Sequence, residues 1–230
     1  MPTIYENGTY LINNPTWHEE DSPWKAKQIL KILHKNNLNP NTICEIGCGS
    51  GEILNSLSKD LNDKTSFSGY EISAQAFELC NKKAKSNLNF YLLDLLNEND
   101  VRFDIVMAID VIEHIEDYFG FLRKLKDKGT YKIFHIPLDM NVSMVLRITP
   151  ILRHRKDVGH IHYFSAETAL ETLKDTGYEI IDHFFTGGFS LQNSGLRANW
   201  LRIPRSIFFK INQKLAVRIM GGYSLMVLAK

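Results

Sequence analysis

The stretch CEIGCGSG at residues 44–51 decides the fold of this chain. It follows a short apolar run, Thr42–Ile46, that is typical of a buried strand, and it precedes an amphipathic run over Glu52–Leu61 that is typical of a helix. Glycines in a turn between a strand and a helix adopt positive φ at no steric cost, and they let backbone N–H groups approach a ligand at the helix N-terminus. The stretch therefore predicts a ligand site, although a glycine loop alone is also compatible with a surface turn.

The rest of the chain repeats this alternation of short apolar runs and helical segments. Six further strands are predicted at Thr65–Tyr70, Asn89–Leu92, Phe103–Ile109, Tyr131–Ile136, Tyr178–Phe185 and Tyr223–Ala229. Helices are predicted from the Ser22-Pro23 pair, which offers an N-cap and a first-turn proline, and over Ala74–Lys85, Asp117–Lys128 and Ser165–Thr176. This order predicts an α/β fold, in which helices cover both faces of a mostly parallel sheet.

Four acidic residues stand at or beside the predicted carboxyl ends of the first four strands: Glu45, Glu71, Asp94 and Asp110. In an open α/β sheet these ends line the ligand crevice. Four carboxylates in one crevice would repel a pyrophosphate. Moreover, Glu52 occupies the position where a dinucleotide-binding loop has its last glycine. The pattern therefore favours a ligand with cationic groups and hydroxyls over a dinucleotide.

These motifs together resemble the class I S-adenosyl-L-methionine (SAM)-dependent methyltransferases. The matching stretches are EIGCGSG at 45–51, GYEIS at 69–73, DL at 94–95, DVIEHI at 110–115 and GHIHYFS at 159–165. The last of them is similar to small-molecule members of the family, including ubiquinone-pathway enzymes. SAM carries a sulfonium, an ammonium, a ribose diol and an adenine amine, all of which suit a crevice rich in carboxylates.

The resemblance implies a Rossmann-like three-layer sandwich with seven strands in the order 3-2-1-4-5-7-6, only the seventh antiparallel. It also implies that Glu71 holds the ribose hydroxyls and that Asp94 and the Leu95 amide meet the adenine. The implied SAM-binding residues are Glu45, Gly47, Gly49, Gly51, Glu71, Ile72, Asp94, Leu95, Asp110 and Val111. Structural roles stay open for three of them, since Glu45 could brace the loop while Asp94 and Asp110 could cap turns.

Histidines are the candidates for a general base, because imidazole titrates near neutral pH and an oxygen acceptor must lose a proton. His114, His135, His160 and His162 fall in segments predicted near the catalytic mouth. His160 is the first candidate, since it lies at the end of the basic insertion 138–161, just before the α/β alternation resumes. His135 is the second candidate. A structural role for each histidine, or catalysis without any base, stays open. No metal is predicted, because the three cysteines lack metal-ligand spacing.

Length and composition predict one globular domain. The chain has 230 residues, of which 44% are hydrophobic and 23% charged, and these values exclude disorder, collagen and a coiled coil. The opening residues lack a basic start and an apolar core, so no signal peptide is predicted. Three cysteines without a disulfide pattern favour a reducing compartment, and a cytoplasmic location is therefore expected. Within the domain, residues 1–40 are predicted to form an N-terminal arm and lid helix, although a plain arm packed on the sheet is an equal alternative.

Charge is distributed unevenly along the chain. Residues 183–230 hold seven basic residues and no acidic one, so the first 182 carry a formal charge of −6 against a total of +1. The segments 138–161 and 186–222 interrupt the α/β alternation and are predicted to be substrate-specificity insertions. The basic segment could be a solvated face, a contact to an anionic membrane, or a grip on an anionic acceptor. Nucleic acid is disfavoured because the pI is only about 7.7.

The sequence thus predicts a SAM-dependent methyltransferase that acts on a small-molecule or a lipid- or sugar-linked acceptor, at oxygen, and releases S-adenosyl-L-homocysteine. Two alternatives are kept. A SAM-binding sensor or scaffold would use the same crevice without turnover, and an NAD-dependent oxidoreductase would bind NAD in its place. The oligomeric state is not predicted.

Overall fold

The computed structural model describes residues 9–17, 19–187 and 205–230, and in these ranges seven strands form one sheet in the order β3-β2-β1-β4-β5-β7-β6. The strands are β1 Thr42–Ile46, β2 Ser66–Tyr70, β3 Leu88–Tyr91, β4 Phe103–Ile109, β5 Gly129–Pro137, β6 Ile180–Gly187 and β7 Tyr223–Ala229. β7 runs antiparallel to both of its neighbours, while all other pairs are parallel. The predicted strand order and direction are confirmed.

Ten helical segments surround the sheet within the described ranges. They are α1 Thr9–Asn13, α2 Ser22–Lys35, α3 Glu52–Asp60, α4 Ala74–Cys80, α5 Tyr118–Leu125, α6 Val142–Arg147, α7 Thr149–Asp157, α8 Ala166–Asp175, α9 over residues 205–211 and α10 Gln213–Ile219. Five short 3₁₀ turns accompany them, at Glu19–Asp21, Asn81–Lys83, Leu95–Asn97, Ile112–His114 and Lys126–Lys128. In the described part of the chain, no helix has the length and apolar character needed to cross a bilayer.

The sheet separates two apolar cores because alternate residues of each strand point to opposite faces. One core joins the apolar sides of α2 and α3 to strand residues such as Ile105 and Met107. The other joins α5, α8 and α10 to residues such as Val106 and Ala108. The central strands are buried on both faces, which explains why they read in the sequence as continuous apolar runs.

Several boundaries differ from the sequence prediction, and local hydrogen bonding explains them. β5 extends from Gly129 to Pro137 because it pairs along its length with β4 and β7. Ser22 is the first residue of α2 rather than its cap, and Asp21 stands at the N-cap position. The last turns predicted for α4 and α5 are 3₁₀ rather than α-helical.

Both predicted insertions contain helices. The first consists of α6 and α7, and Asn141 caps α6 by accepting a hydrogen bond from the Met144 amide. In the second insertion, the four-residue spacing of Ile207, Ile211, Leu215 and Ile219 indicates a helical segment. In the structure Asn212 interrupts it, because its backbone is extended and its side chain accepts a hydrogen bond from the Leu215 amide. Residues 188–204 of this insertion lie outside the described residues.

Candidate active site

The glycine loop between β1 and α3 has the geometry that its sequence predicts. Gly47, Gly49 and Gly51 all have positive φ, of 66°, 54° and 73°. A Cβ atom at Gly51 would lie 2.6 Å from the Phe90 ring and 2.8 Å from Cys80 Cβ. Above Gly49, in contrast, the first atom is Trp17 Cε3 at 3.8 Å. The loop is therefore packed closely against the protein at Gly51, while the backbone at Gly49 faces the Trp17 ring of the N-terminal arm.

Glu71 closes β2 and turns toward this loop. Its Oε2 accepts a hydrogen bond of 2.8 Å from the Gly49 amide, and its Oε1 accepts one of 2.8 Å from the Ser73 amide. Burial raises the pKa of Glu71, and the hydrogen bonds from the Ser73 and Gly49 amides oppose this rise. Each carboxylate oxygen has a second lone pair. Glu71 is thus held by the backbone and can still accept hydrogen bonds from a ligand diol.

The turn after β3 places Asp94 and Leu95 at the same edge of the sheet as the glycine loop. Asp94 accepts a hydrogen bond of 2.9 Å from the Leu96 amide and so caps the 3₁₀ turn that follows. The Leu95 side chain is fully buried, while the Ile72 side chain is 73% exposed. Asp94 has the capping role that the sequence left open, and a contact to adenine stays a prediction for this turn.

Asp110 lies at the centre of a buried polar chain that joins α2, β5 and β6. Its Oδ2 accepts from Lys25 Nζ at 2.7 Å, and its Oδ1 is 2.6 Å from His135 Nδ1. On its other side, His135 Nε2 is 2.9 Å from Thr186 Oγ1. Burial would raise the pKa of Asp110, but the charges of His135 and Lys25 hold it well below its ordinary value. With a φ of 54°, Asp110 is fixed at the crevice rim by both backbone and side chain.

Lys25 was missed by the sequence analysis, although a signal exists. It occupies the inward face of α2 with Ser22, Ala26 and Ile29, where a cation needs a buried partner. Burial lowers the pKa of Lys25, but the neighbouring Asp110 carboxylate raises it by more. A lysine on the apolar side of a helix therefore indicates that an acidic side chain lies beneath the helix.

Glu45 and Val111 complete the floor of the crevice. Glu45 is 2% exposed, and no described residue forms a hydrogen bond with its Oε2. Burial raises the pKa of Glu45 well above its ordinary value, against the opposing charge of Lys25. Val111 Cγ2 would lie 3.2 Å from a Cβ atom at Gly47, so the turn after β4 packs directly on the glycine loop. These contacts bring the predicted glycine, β2 and β4 residues together around one space.

The N-terminal arm lies over this space. The Tyr10 and Trp17 ring centroids are 4.6 Å apart, and Trp17 faces Gly49. Burial, with the charges of Asp110, Glu113 and Glu71, raises the pKa of Tyr10. Asn14 Nδ2 donates to the Asp157 carbonyl at 3.0 Å, so the arm also contacts the first insertion. This is the position that a lid would occupy.

The candidate histidines differ sharply in their surroundings. His135 is 3% exposed, and both its ring nitrogens contact protein atoms, which does not favour it as a base that meets an acceptor. His160 Nδ1 is 2.6 Å from Asp139 Oδ2, and its Nε2 is 3.9 Å from Glu113 Oε1. His162 lies at the surface, with Nε2 3.3 Å from the Glu116 carbonyl.

Asp139, His154 and Glu113 are further site residues that the sequence analysis did not single out. Asp139 Oδ2 contacts the Nδ1 atoms of His154 and His160, and although burial opposes it, these two bonds lower the pKa of Asp139. Glu113 is fully buried, and burial, with Asp110 nearby, raises its pKa well above its ordinary value. No sequence signal indicates that Asp139 pairs with His154 and His160, since 15 and 21 residues separate it from them.

Comparison with known proteins agrees with this geometry. Residues 17–183 match the methyltransferase domain family. Over 117 residues the chain is 28% identical to the ubiquinone biosynthesis O-methyltransferase of Rickettsia bellii (strain OSU 85-389), covering 47% of this chain and 48% of that protein. The chain covers between 38% and 63% of the length of the curated relatives it matches.

Solved structures show the same fold. The N-methyltransferase NodS from Bradyrhizobium japonicum WM9, in complex with S-adenosyl-L-homocysteine, superposes with a TM-score of 0.63 at 15% identity, covering 99% of this chain and 98% of that chain. Magnesium protoporphyrin IX methyltransferase from Synechocystis PCC 6803, with bound S-adenosyl-L-homocysteine, gives a TM-score of 0.61 at 15% identity, covering 96% and 85%.

A seven-stranded sheet with this order and an acidic crevice at its carboxyl edge defines the class I methyltransferase fold. The chain belongs to the SAM-dependent methyltransferase family. S-adenosyl-L-methionine is the methyl donor of this family. The crevice residues fit this donor, since Glu71 can accept the ribose hydroxyls and no side chain projects from Gly47, Gly49 or Gly51 of the loop.

Proposed function

We propose that this chain transfers a methyl group from SAM to the oxygen of a small-molecule or lipid- or sugar-linked acceptor. The observation that carries the proposal is the pairing of Glu71 with the Gly49 amide, which places a carboxylate and a bare glycine backbone on the same side of one crevice. Glu45, Gly47, Gly51, Ile72, Asp94, Leu95, Asp110 and Val111 are proposed to complete the cofactor site.

When bound, SAM supplies an electrophilic methyl group on a sulfonium, and the protein has to align it with the acceptor and exclude water. Glu71 fixes the ribose, and the Lys25–Asp110–His135 chain holds the rim beside the methionine part in one conformation. Tyr10 and Trp17 cover the crevice. Of the two predicted bases, His160 is favoured for contact with the acceptor, because Asp139 holds its Nδ1 and leaves Nε2 facing inward.

Ligand titration tests whether the chain binds SAM or NAD. In calorimetry, SAM and S-adenosyl-L-homocysteine should bind to the purified chain, whereas NAD should produce no heat of binding. NAD binding without SAM binding would support the oxidoreductase alternative and contradict the proposal. Incubation with SAM and a panel of hydroxylated acceptors should then accumulate S-adenosyl-L-homocysteine. Cofactor binding without such accumulation on any acceptor class would favour the sensor or scaffold.

We also propose that the acceptor is reached at an anionic membrane surface. Apolar side chains are exposed on both insertions, at Val142, Val145, Leu146, Ile148 and Leu152 and at Ile207, Ile211, Leu215 and Ile219. The two insertions are in contact, since the Gly221 amide donates to Ser143 Oγ at 3.2 Å. Exposed cations, including Arg147, Arg153, Lys210 and Lys214, lie on the same helices. An apolar face with basic neighbours is typical of interfacial docking.

Vesicle sedimentation tests this contact. Vesicles rich in anionic lipid should retain the chain at low salt and release it at high salt, because each lysine or arginine near such a surface contributes about 1 kcal/mol. The double substitution Lys210→Glu and Lys214→Glu should reduce retention strongly. Lys64→Glu with Lys85→Glu, at the opposite edge of the sheet, is the matched control and should bind as before. Equal retention on neutral vesicles, or no effect of Lys210→Glu and Lys214→Glu, would contradict electrostatic docking.

A further inference from the structure

Three side chains from two segments of the chain meet beside the proposed methyl-transfer site. Glu113 and His114 belong to the turn after β4, and His160 belongs to the loop that follows α7. Glu113 Oε1 lies 3.7 Å from His114 Nε2 and 3.9 Å from His160 Nε2. One ligand atom from each of the three residues lies within 4.8 Å of the other two. Glu113 and His114 have no part in the mechanism described so far.

Glu113 is the unusual member of the cluster. Its side chain is 0% exposed, and neither carboxylate oxygen has a hydrogen-bond partner among the described residues. A buried carboxylate without a partner is costly, so native proteins satisfy such groups with a donor or a metal ion. The carboxylate is oriented toward two imidazole rings. Within the described ranges, no hydrogen-bond donor satisfies this carboxylate.

In each imidazole ring, the contact made by Nδ1 determines the protonation of Nε2, the nitrogen that faces Glu113. His160 Nδ1 lies 2.6 Å from Asp139 Oδ2, and His114 Nδ1 lies 3.1 Å from the Gly159 carbonyl. Both partners are acceptors, so each Nδ1 carries the proton, and a neutral ring then presents the Nε2 lone pair. A carboxylate behind a metal-ligating histidine is a common way to fix this orientation.

We propose that Glu113, His114 and His160 bind a divalent transition-metal cation, such as Zn²⁺, Mn²⁺ or Co²⁺, that contacts the acceptor. Nitrogen and oxygen ligands bond such cations at about 2.0–2.2 Å, so two ligands of one ion stand at most about 4.2 Å apart. The two measured distances from Glu113 Oε1 fall inside this limit. Two imidazoles with one carboxylate favour transition metals over Mg²⁺, which prefers oxygen ligands.

The backbone holds the cluster together before any ion binds. The Glu113 carbonyl accepts hydrogen bonds from the Ile161 amide at 2.9 Å and the His162 amide at 3.1 Å. These bonds fix the loop after α7 against the turn after β4. A second group, Asp139, His154 and His160, also has metal-ligand spacing. It is the weaker candidate, because Asp139 Oδ2 already accepts from both rings there.

The inference rests on the proposed function and narrows its substrate class to acceptors with an ionisable hydroxyl. Three protein ligands leave open positions on the cation, and a hydroxyl bound there ionises more readily. The hydroxyl proton leaves to solvent, the oxygen forms the bond to the methyl carbon, and the carbon–sulfur bond breaks with its electron pair going to sulfur. In this scheme the cation takes the role otherwise predicted for His160 as a base.

Metal binding can be measured without any acceptor. The full chain, treated with a chelator and dialysed, should bind one equivalent of Co²⁺ with a visible d–d absorption band, and Zn²⁺ should displace it. Glu113→Gln and His160→Gln should each weaken Co²⁺ binding at least tenfold. Asp139→Asn should weaken it by about tenfold to hundredfold, as expected for a residue that orients a ligand. His34→Gln, at an exposed histidine of α2, is the matched control and should bind as the unsubstituted chain does.

The possible outcomes distinguish failure of the proposed cation site from failure of the proposed function. Circular dichroism and SAM titration show whether a variant is folded. If SAM binds and Co²⁺ does not, the metal site is refuted while the proposed function stands. If Co²⁺ binds and SAM does not, the proposed function fails while the metal site stands. If His154→Gln abolishes Co²⁺ binding and Glu113→Gln leaves it unchanged, the cation occupies the second group and this assignment is wrong.

Discussion

The substitution Glu71→Ala is expected to weaken binding of SAM and S-adenosyl-L-homocysteine by about tenfold to hundredfold. The reason is that charged hydrogen bonds contribute about 1.5–3 kcal/mol each. Glu71 is also the acceptor for the Gly49 and Ser73 amides, so its removal loosens the loop as well as the contact to the ribose. Isothermal calorimetry with S-adenosyl-L-homocysteine measures this loss without any acceptor.

Two further variants sharpen this test. Glu71→Gln keeps the shape and one acceptor oxygen, so it should lose less affinity than Glu71→Ala. Glu78→Ala removes an exposed carboxylate from α4, a few residues away, and should leave affinity unchanged. If Glu71→Ala bound as tightly as the unsubstituted chain, the ribose would lie elsewhere and the proposed cofactor site would be wrong.

The substitution Gly51→Ala is expected to lower the free energy of unfolding by about 2–5 kcal/mol. Positive φ costs an L-residue about 1–2 kcal/mol, and overpacking a core costs about 1–3 kcal/mol more. Both apply at Gly51, where φ is 73° and the added Cβ would lie 2.6 Å from the Phe90 ring. For a chain of this size the loss corresponds to a fall of about 4–20 °C in Tm, measurable by thermal denaturation.

Gly49→Ala is the matched control in the same loop. Its φ is also positive, at 54°, but the added Cβ would meet only Trp17 Cε3, at an ordinary 3.8 Å. We therefore expect a loss of about 1–2 kcal/mol from backbone strain alone. Equal destabilisation by Gly51→Ala and Gly49→Ala would show that the contact with Phe90 and Cys80 is not what requires glycine at residue 51.

Local sequence patterns predicted most of the fold. The bounds of β1, β4 and β7 agree with the prediction, because a strand buried on both faces leaves an unbroken apolar run that polar or glycine residues end. The four-residue spacing of Ile207, Ile211, Leu215 and Ile219 coincides with helical structure, which is divided into the two helices α9 and α10. A spacing of four residues indicates a helical face, but it does not show that Asn212 caps a new helix.

The same sequence patterns predicted only some of the residues of the candidate site. Glu71 and the glycine loop could be located because each stands at the end of a strand, and strand ends meet at one edge of a parallel sheet. Lys25 and Asp139 could not be assigned partners, since Lys25 is 85 residues from Asp110, and Asp139 is separated from His160 by 21 residues that include α6 and α7. Their roles depend on how α2 and the first insertion pack.

The sequence by itself determined the class of fold, the glycine loop and the acidic edge, because these depend on the periodicity of side chains within single elements. Only the tertiary structure decided that His135 is enclosed by Asp110 and Thr186, that Asp139 orients His160, and that Glu113 is buried without a hydrogen-bond partner in the part of the chain that the structure describes. Such pairings join segments far apart in the chain, and the sheet order and loop packing that bring them together leave no periodic trace in the sequence.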